Sequence, residues 1–180
     1  TYVCNVDKDY FIERTKEYAE GIFKNALTSP DNFLMVDQIV PSSNIEDFLP
    51  YFNDIRIFLV DRDPRDLYLS EKYVWHEGVV PASPEEFVEW YKYCRKDQKR
   101  YIENENVCFL RFEDMIYDYE NTKRKIVRFA GIDEERHINP LSKFNPEISK
   151  KNTKLYLKYP QEKENVKIIE ERLSEYLYNS

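Results

Sequence analysis

The sequence predicts an α/β domain with a short central parallel sheet flanked by helices. Three observations lead there. Short apolar runs recur at residues 33–36, 55–60 and 107–110, each run ends in charged residues, and each is followed by a helix start signal or helical spacing. Buried parallel strands read as near-continuous apolar runs, and α/β sheets collect ligands outside the carboxyl ends of their strands.

The elements follow in order. Phe11, Ile12, Tyr18, Ala19, Ile22, Phe23 and Ala26 recur at near-helical spacing and predict an amphipathic packing helix over 9–27, closed by Ser29-Pro30. Residues 33–36 then predict a buried strand delivering Asp37. Ser43-Asn44-Ile45-Glu46 has capping-box spacing, so a short helix leads through Phe48 and Pro50 to a strand over 55–60. Strand, helix, strand predicts a parallel pair with a crossover.

Asp63 and Pro64 supply a cap and first-turn proline for the next helix, continued by Leu67, Tyr68 and residues 73–75 until Gly78 and Pro81. Ser83-Pro84-Glu85-Glu86 starts another, expected to run to about Asn104. The strand over 107–110 feeds a helix that Asp118 precedes and Gly131 ends. Val166, Ile169, Leu173 and Leu177 predict a terminal helix over 162–178.

Composition narrows the function. The 180 residues suit one compact domain, 1–180. With 34 acids against 27 bases the net charge is −7, which argues against nucleic acid or an anionic membrane as the main partner. Five of the lysines, Lys143, Lys150, Lys151, Lys154 and Lys158, form one basic island. Cys4, Cys94 and Cys108 have no metal-ligand spacing, and His76 and His137 have no companions, so no metal site is expected and the thiols read as reduced, in a cytoplasmic protein. No apolar run approaches the ~20 residues of a membrane span. With only Gly21, Gly78 and Gly131, the chain lacks a Walker-type loop and cannot be a self-contained P-loop enzyme. It opens at Thr1, not methionine, so its natural beginning is expected to be processed or missing.

The charged strand ends carry the chemistry. Arg62 leaves a strand directly and offers a rigid fork suited to phosphate, and Ser70 adds a hydroxyl eight residues on. The competing reading is an ion-pair network in which Arg62, Asp63, Arg65 and Asp66 satisfy one another.

These residues resemble a known family. Val60-Asp61-Arg62-Asp63-Pro64-Arg65-Asp66-Leu67-Tyr68-Leu69-Ser70 looks like the sulfotransferase segment that holds the 3′-phosphate of 3′-phosphoadenosine 5′-phosphosulfate, whose Arg-(x)7-Ser pair falls on Arg62 and Ser70. Leu110-Arg111-Phe112-Glu113-Asp114 resembles the family's Leu-Arg-Tyr-Glu-Asp stretch, and its helix ends in Phe129-Ala130-Gly131-Ile132. Ser142-Lys143-Phe144 and Ser149-Lys150-Lys151-Asn152-Thr153 resemble the late donor-binding segments. The ordered set spans about residues 33–178.

The resemblance implies a P-loop-NTPase-like sulfotransferase fold, N-terminally incomplete here. It implies sulfuryl transfer to a hydroxyl or amine, on a small-molecule or glycan acceptor. It implies donor binding by Arg62, Ser70, Phe112, Ser142, Phe144, Lys150, Lys151 and Asn152, with Phe112 and Phe144 lining the adenine pocket. The late Arg-Lys-Gly reads Lys150-Lys151-Asn152 here, with asparagine standing in for glycine in a left-handed turn. The family's 5′-phosphosulfate loop has no counterpart in this chain. Its Thr-His-Leu-Pro stretch aligns with Asp37-Gln38-Ile39-Val40-Pro41, which leaves Asp37 as the candidate base. Residues 75–84 offer aromatics for an acceptor loop. Arg65 and Asp66 are expected only to brace the turn. The rival function is a non-catalytic nucleotide-binding or partner-binding module of the same fold.

Overall fold

The computed structural model describes residues 5–27, 29, 32–38 and 40–179. Thr1, Cys4, Pro30 and Ile39, named in the sequence analysis, lie outside them. The chain divides into two compact units, Thr1–Ile55 and Arg56–Ser180.

In the first unit, α1 (Lys8–Ala26) begins where the Asp7 carboxylate accepts the N–H groups of Asp9 and Tyr10, each at 3.0 Å. Phe11 meets Tyr51 edge-on at 6.2 Å, and Phe23 stacks on Phe52 at 6.0 Å. The short α2 (Ile45–Phe48) takes Asn44 as its cap residue, not Ser43, and a 3₁₀ turn over Leu49–Tyr51 follows. One expectation fails here. Residues 33–36 form no strand, and all four side chains are exposed, Met35 at 92 %. An apolar run becomes a strand only beside another strand that takes its N–H and C=O groups, and the described part of this unit holds none. Among the described residues, 33–36 therefore supply no strand for the expected crossover to 55–60.

The parallel pair lies in the second unit. There β1 (Ile57–Asp61) and β2 (Val107–Arg111) pair in parallel, with Ile57 opposite Val107 and Asp61 opposite Arg111. The Phe112 N–H donates to the Asp61 carbonyl at 2.8 Å, so the ladder extends to the strand ends. Both strands thus stop at one level, and Arg62 and Phe112 leave them side by side.

Next comes α3 (Pro64–Ser70), capped by Asp63, which accepts the Arg65 N–H at 2.9 Å. It runs into one π-helical turn, Glu71–Trp75, closed by the His76 N–H on the Glu71 carbonyl at 2.9 Å. His76 itself is left-handed, with φ 58°. The Ser83 hydroxyl accepts the Glu86 N–H at 3.2 Å and starts α4 (Pro84–Arg95). This helix stops short of Asn104, because residues 96–101 tighten into i→i+3 bonds and the Asn104 side chain accepts the Asn106 N–H at the entry to β2.

After β2 come α5 (Asp114–Tyr117) and α6 (Tyr119–Ala130). Gly131 ends α6 at φ 69°, with the Ile132 N–H on the Val127 carbonyl at 3.0 Å, as the glycine predicts. Then follow α7 (Pro146–Ser149) and α8 (Lys163–Arg172). The last helix is shorter than its periodicity predicts because the chain turns away to dock: the Tyr178 N–H donates to Asp63 at 3.0 Å and its hydroxyl to Asp114 at 2.9 Å. Tyr68, Leu69, Phe87, Val88 and Tyr91 pack with Leu155, Val166, Ile169 and Leu173 as the core, which fixes α3 against α4 and α8. No helix among the described residues is long and apolar enough to cross a membrane.

Candidate functional site

The charged residues after β1 divide into two groups. Arg65 donates from Nε and Nη2 to the two Asp63 oxygens at 2.9 and 2.6 Å, and from Nη1 to Glu170 at 2.8 Å. Burial alone would lower its pKa, but the bonds to Asp63 and Glu170 outweigh that and the net shift is upward. Arg95 is similarly paired with Asp61 at 2.7 Å. Asp66, 2 % exposed, accepts the backbone N–H groups of Lys154 and Leu155, each at 2.7 Å. Arg65 and Asp66 are thus braces, as expected.

Arg62 is different. It is 9 % exposed, and the one hydrogen bond of its guanidinium among the described residues runs from Nη2 to the Asn152 carbonyl at 2.5 Å. Its Nε is buried with no partner. Its guanidinium carbon lies 5.0 Å from the Phe112 ring centre and 5.3 Å from that of Trp75. Burial lowers its pKa, opposed by the nearby charges of Asp66, Glu113 and Asp63, yet it forms no ion pair with any of them. The ion-pair reading therefore holds for Arg65 and not for Arg62.

Two backbone anchors hold this arginine in place. The Tyr91 hydroxyl donates to the Arg62 carbonyl at 2.9 Å, and the Asp63 N–H donates to Glu113 Oε1 at 2.8 Å. Glu113 is 2 % exposed, and burial raises its pKa. Arg111 Nε stands 3.6 Å from its other oxygen, too far for a hydrogen bond, and both atoms are buried without one.

Ser70 is 1 % exposed and lies one turn beyond Asp66, on the same face of α3. Residues 152–155 cross that face, bonded to Arg62 at one end and to Asp66 at the other. The late basic segment thus touches both Arg62 and the face of α3 that carries Asp66 and Ser70.

The Lys150–Asn152 stretch forms a single 3₁₀ turn after α7. Lys150 and Lys151 are exposed, and their amines make no bond among the described residues. The left-handed residue is Lys154, φ 53°, not Asn152, which corrects the expectation for the asparagine. The turn closes instead on the Thr153 side chain, which donates to the Lys150 carbonyl at 2.9 Å, while the Lys158 amine donates to the Lys151 carbonyl at 2.5 Å.

Phe144 and Ser142 have partners of their own. The half-buried Phe144 stacks on Tyr119 at 6.3 Å, and the exposed Ser142 donates to the Asn139 carbonyl at 2.9 Å. Asp37 lies in the first unit, exposed in a bend. Cys94 and Cys108 are thiols whose pKa burial raises. No group of three or more His, Cys, Asp or Glu arranged to hold a metal occurs among the described residues.

Sequence reasoning missed Trp75, Tyr91 and Glu113 as neighbours of Arg62. Only Glu113 carried a signal, its place two residues past β2. The other two arrive through helix packing that no spacing announces.

A family model described as Sulfotransferase domain matches residues 49–174. No curated protein matches the chain, and no solved structure does.

Proposed function

The chain belongs to the sulfotransferase domain family, and from that premise we propose that it binds 3′-phosphoadenosine 5′-phosphosulfate and serves transfer of its sulfuryl group to a hydroxyl or amine. The single observation that carries the donor reading is Arg62. Unlike Arg65, which is bonded to Asp63 and Glu170, it is buried with an unpartnered Nε and without a carboxylate bond. A buried cation in that state suits an incoming oxyanion, whose charge-assisted bonds would complete its hydrogen bonding.

In this reading Arg62 and Ser70 hold the 3′-phosphate from beside α3, and Lys150 and Lys151 add positive charge. Asn152 contributes through its backbone turn, and Phe112, Phe144 and Ser142 border the nucleoside. These residues bind and orient the donor. The transfer itself asks for in-line positioning, stabilisation of the leaving phosphate and a base on the acceptor, for which Asp37 is proposed. The acceptor is a small molecule or a glycan.

The test is calorimetry with adenosine 3′,5′-bisphosphate on the full-length protein. Each charge-assisted bond is worth roughly 1.5–3 kcal/mol, so Arg62→Ala should weaken binding by roughly ten- to a hundred-fold or more. Unchanged affinity would overturn the donor assignment. Binding without transfer of labelled sulfate to any hydroxyl or amine acceptor would identify a nucleotide-binding module instead.

A further inference from the structure

Three carboxylates, Asp63, Asp66 and Glu113, act on Arg62 electrostatically, yet its guanidinium bonds to none of them. Each has other partners. Asp63 holds Arg65 and the Tyr178 N–H, Asp66 holds the Lys154 and Leu155 amides, and Glu113 holds the Asp63 N–H. Besides the Asn152 carbonyl, what remains around the guanidinium is aromatic: Phe112 at 5.0 Å and Trp75 at 5.3 Å. Both distances fall within the range of cation–π attraction, and a guanidinium, weakly hydrated and planar, suits such contacts better than an ammonium.

Trp75 is where it is because of the π turn. The extra residue in that turn, marked by the His76 bond to the Glu71 carbonyl, changes the direction in which the following side chains leave the helix. The turn is then tied down from two sides. The Tyr73 hydroxyl donates to the buried Glu162 at 2.5 Å while its ring stacks on Tyr159 at 4.2 Å, and Glu71 accepts the Gly78 N–H at 2.5 Å. An exposed indole would otherwise have little reason to stay over an arginine.

From this geometry we infer that Trp75 is a positioning residue for Arg62: its ring, with that of Phe112, holds the guanidinium off the neighbouring carboxylates and leaves N–H groups available to an anion. The inference deepens the donor reading and rests on it for the identity of the anion. A ring face attracts the cation without using any of its N–H donors, which a carboxylate would occupy.

The experiment compares Trp75→Leu and Trp75→Phe in the full-length protein, with Arg62→Ala alongside. The first readout needs no ligand: the Arg62 Nε–H proton resonance is expected upfield from the indole ring current in the wild type and shifted back in Trp75→Leu. The second is affinity for adenosine 3′,5′-bisphosphate. It is expected to fall roughly three- to thirty-fold in Trp75→Leu and to be largely retained in Trp75→Phe. Thermal midpoints near the wild-type value are expected for both variants. An unmoved Nε–H resonance, or equal losses in Leu and Phe, would overturn the positioning role. Wild-type affinity in Arg62→Ala would instead overturn the donor reading, while the ligand-free resonance would still judge Trp75.

Discussion

Arg62 donates to the backbone carbonyl of Asn152, 90 residues along the chain, at 2.5 Å. That bond joins the end of β1 to the late basic segment. Because the acceptor is backbone, the Asn152 side chain is dispensable for the contact. Asn152→Ala is therefore expected to keep affinity for adenosine 3′,5′-bisphosphate within about two-fold of wild type, since it removes no bond of Arg62. A ten-fold loss by calorimetry would show that the amide side chain itself meets the ligand.

Arg62→Lys separates charge from shape. A lysine is a compact, strongly hydrated point charge that gives up the planar fork and its aromatic contacts. Loss of one charge-assisted bond of roughly 1.5 kcal/mol or more predicts at least about a ten-fold weaker complex with an unchanged fold. Wild-type affinity in this variant would mean that charge alone suffices.

Arg65 is expected to behave in the opposite way. Its two bonds to Asp63 are buried, and removing one member of a buried pair costs about 3 kcal/mol or more because the other charge is left without its partner. Arg65→Ala should therefore shift the urea midpoint strongly, while Arg62→Ala shifts affinity. A stable Arg65→Ala protein would show that Tyr178 and the helix cap suffice for Asp63.

Asp66 gives the fold a pH dependence. Burial, reinforced by the Asp63 charge, raises its pKa from 3.8 to about 6, against the two amide bonds it accepts. The folded protein thus holds this proton more tightly than the unfolded chain. Its contribution to stability is full below about pH 4 and is lost as pH rises through about 6, by roughly 3 kcal/mol for a shift of about two units. Asp66→Asn removes that proton, so the wild-type minus variant difference in unfolding free energy should fall over this window. A flat difference would show that Asp66 titrates normally.

Asp37→Asn tests the proposed base. If the carboxylate takes the acceptor proton, turnover falls by roughly a hundred-fold or more while donor affinity stays at the wild-type value. Unchanged turnover would remove Asp37 from the mechanism.

The sequence by itself determined the parts whose cause is local. Asp63 and Pro64 start α3, Ser83 starts α4, Gly131 ends α6, and the runs before Arg62 and Phe112 form a parallel pair, each for reasons contained within a few residues. It also ordered the motifs that mark the family. Only the tertiary structure decided what depends on a distant partner. Residues 33–36 find no partner strand among the described residues of their own unit, and the last helix yields to the docking of Tyr178 on Asp63 and Asp114. Above all, Arg62 and Arg65, three residues apart in one charged cluster, take different roles. One lies where Asp63 and Glu170 reach it, and the other where two aromatic rings and a backbone carbonyl do. Pairing depends on packing between elements, and no spacing along the chain encodes it.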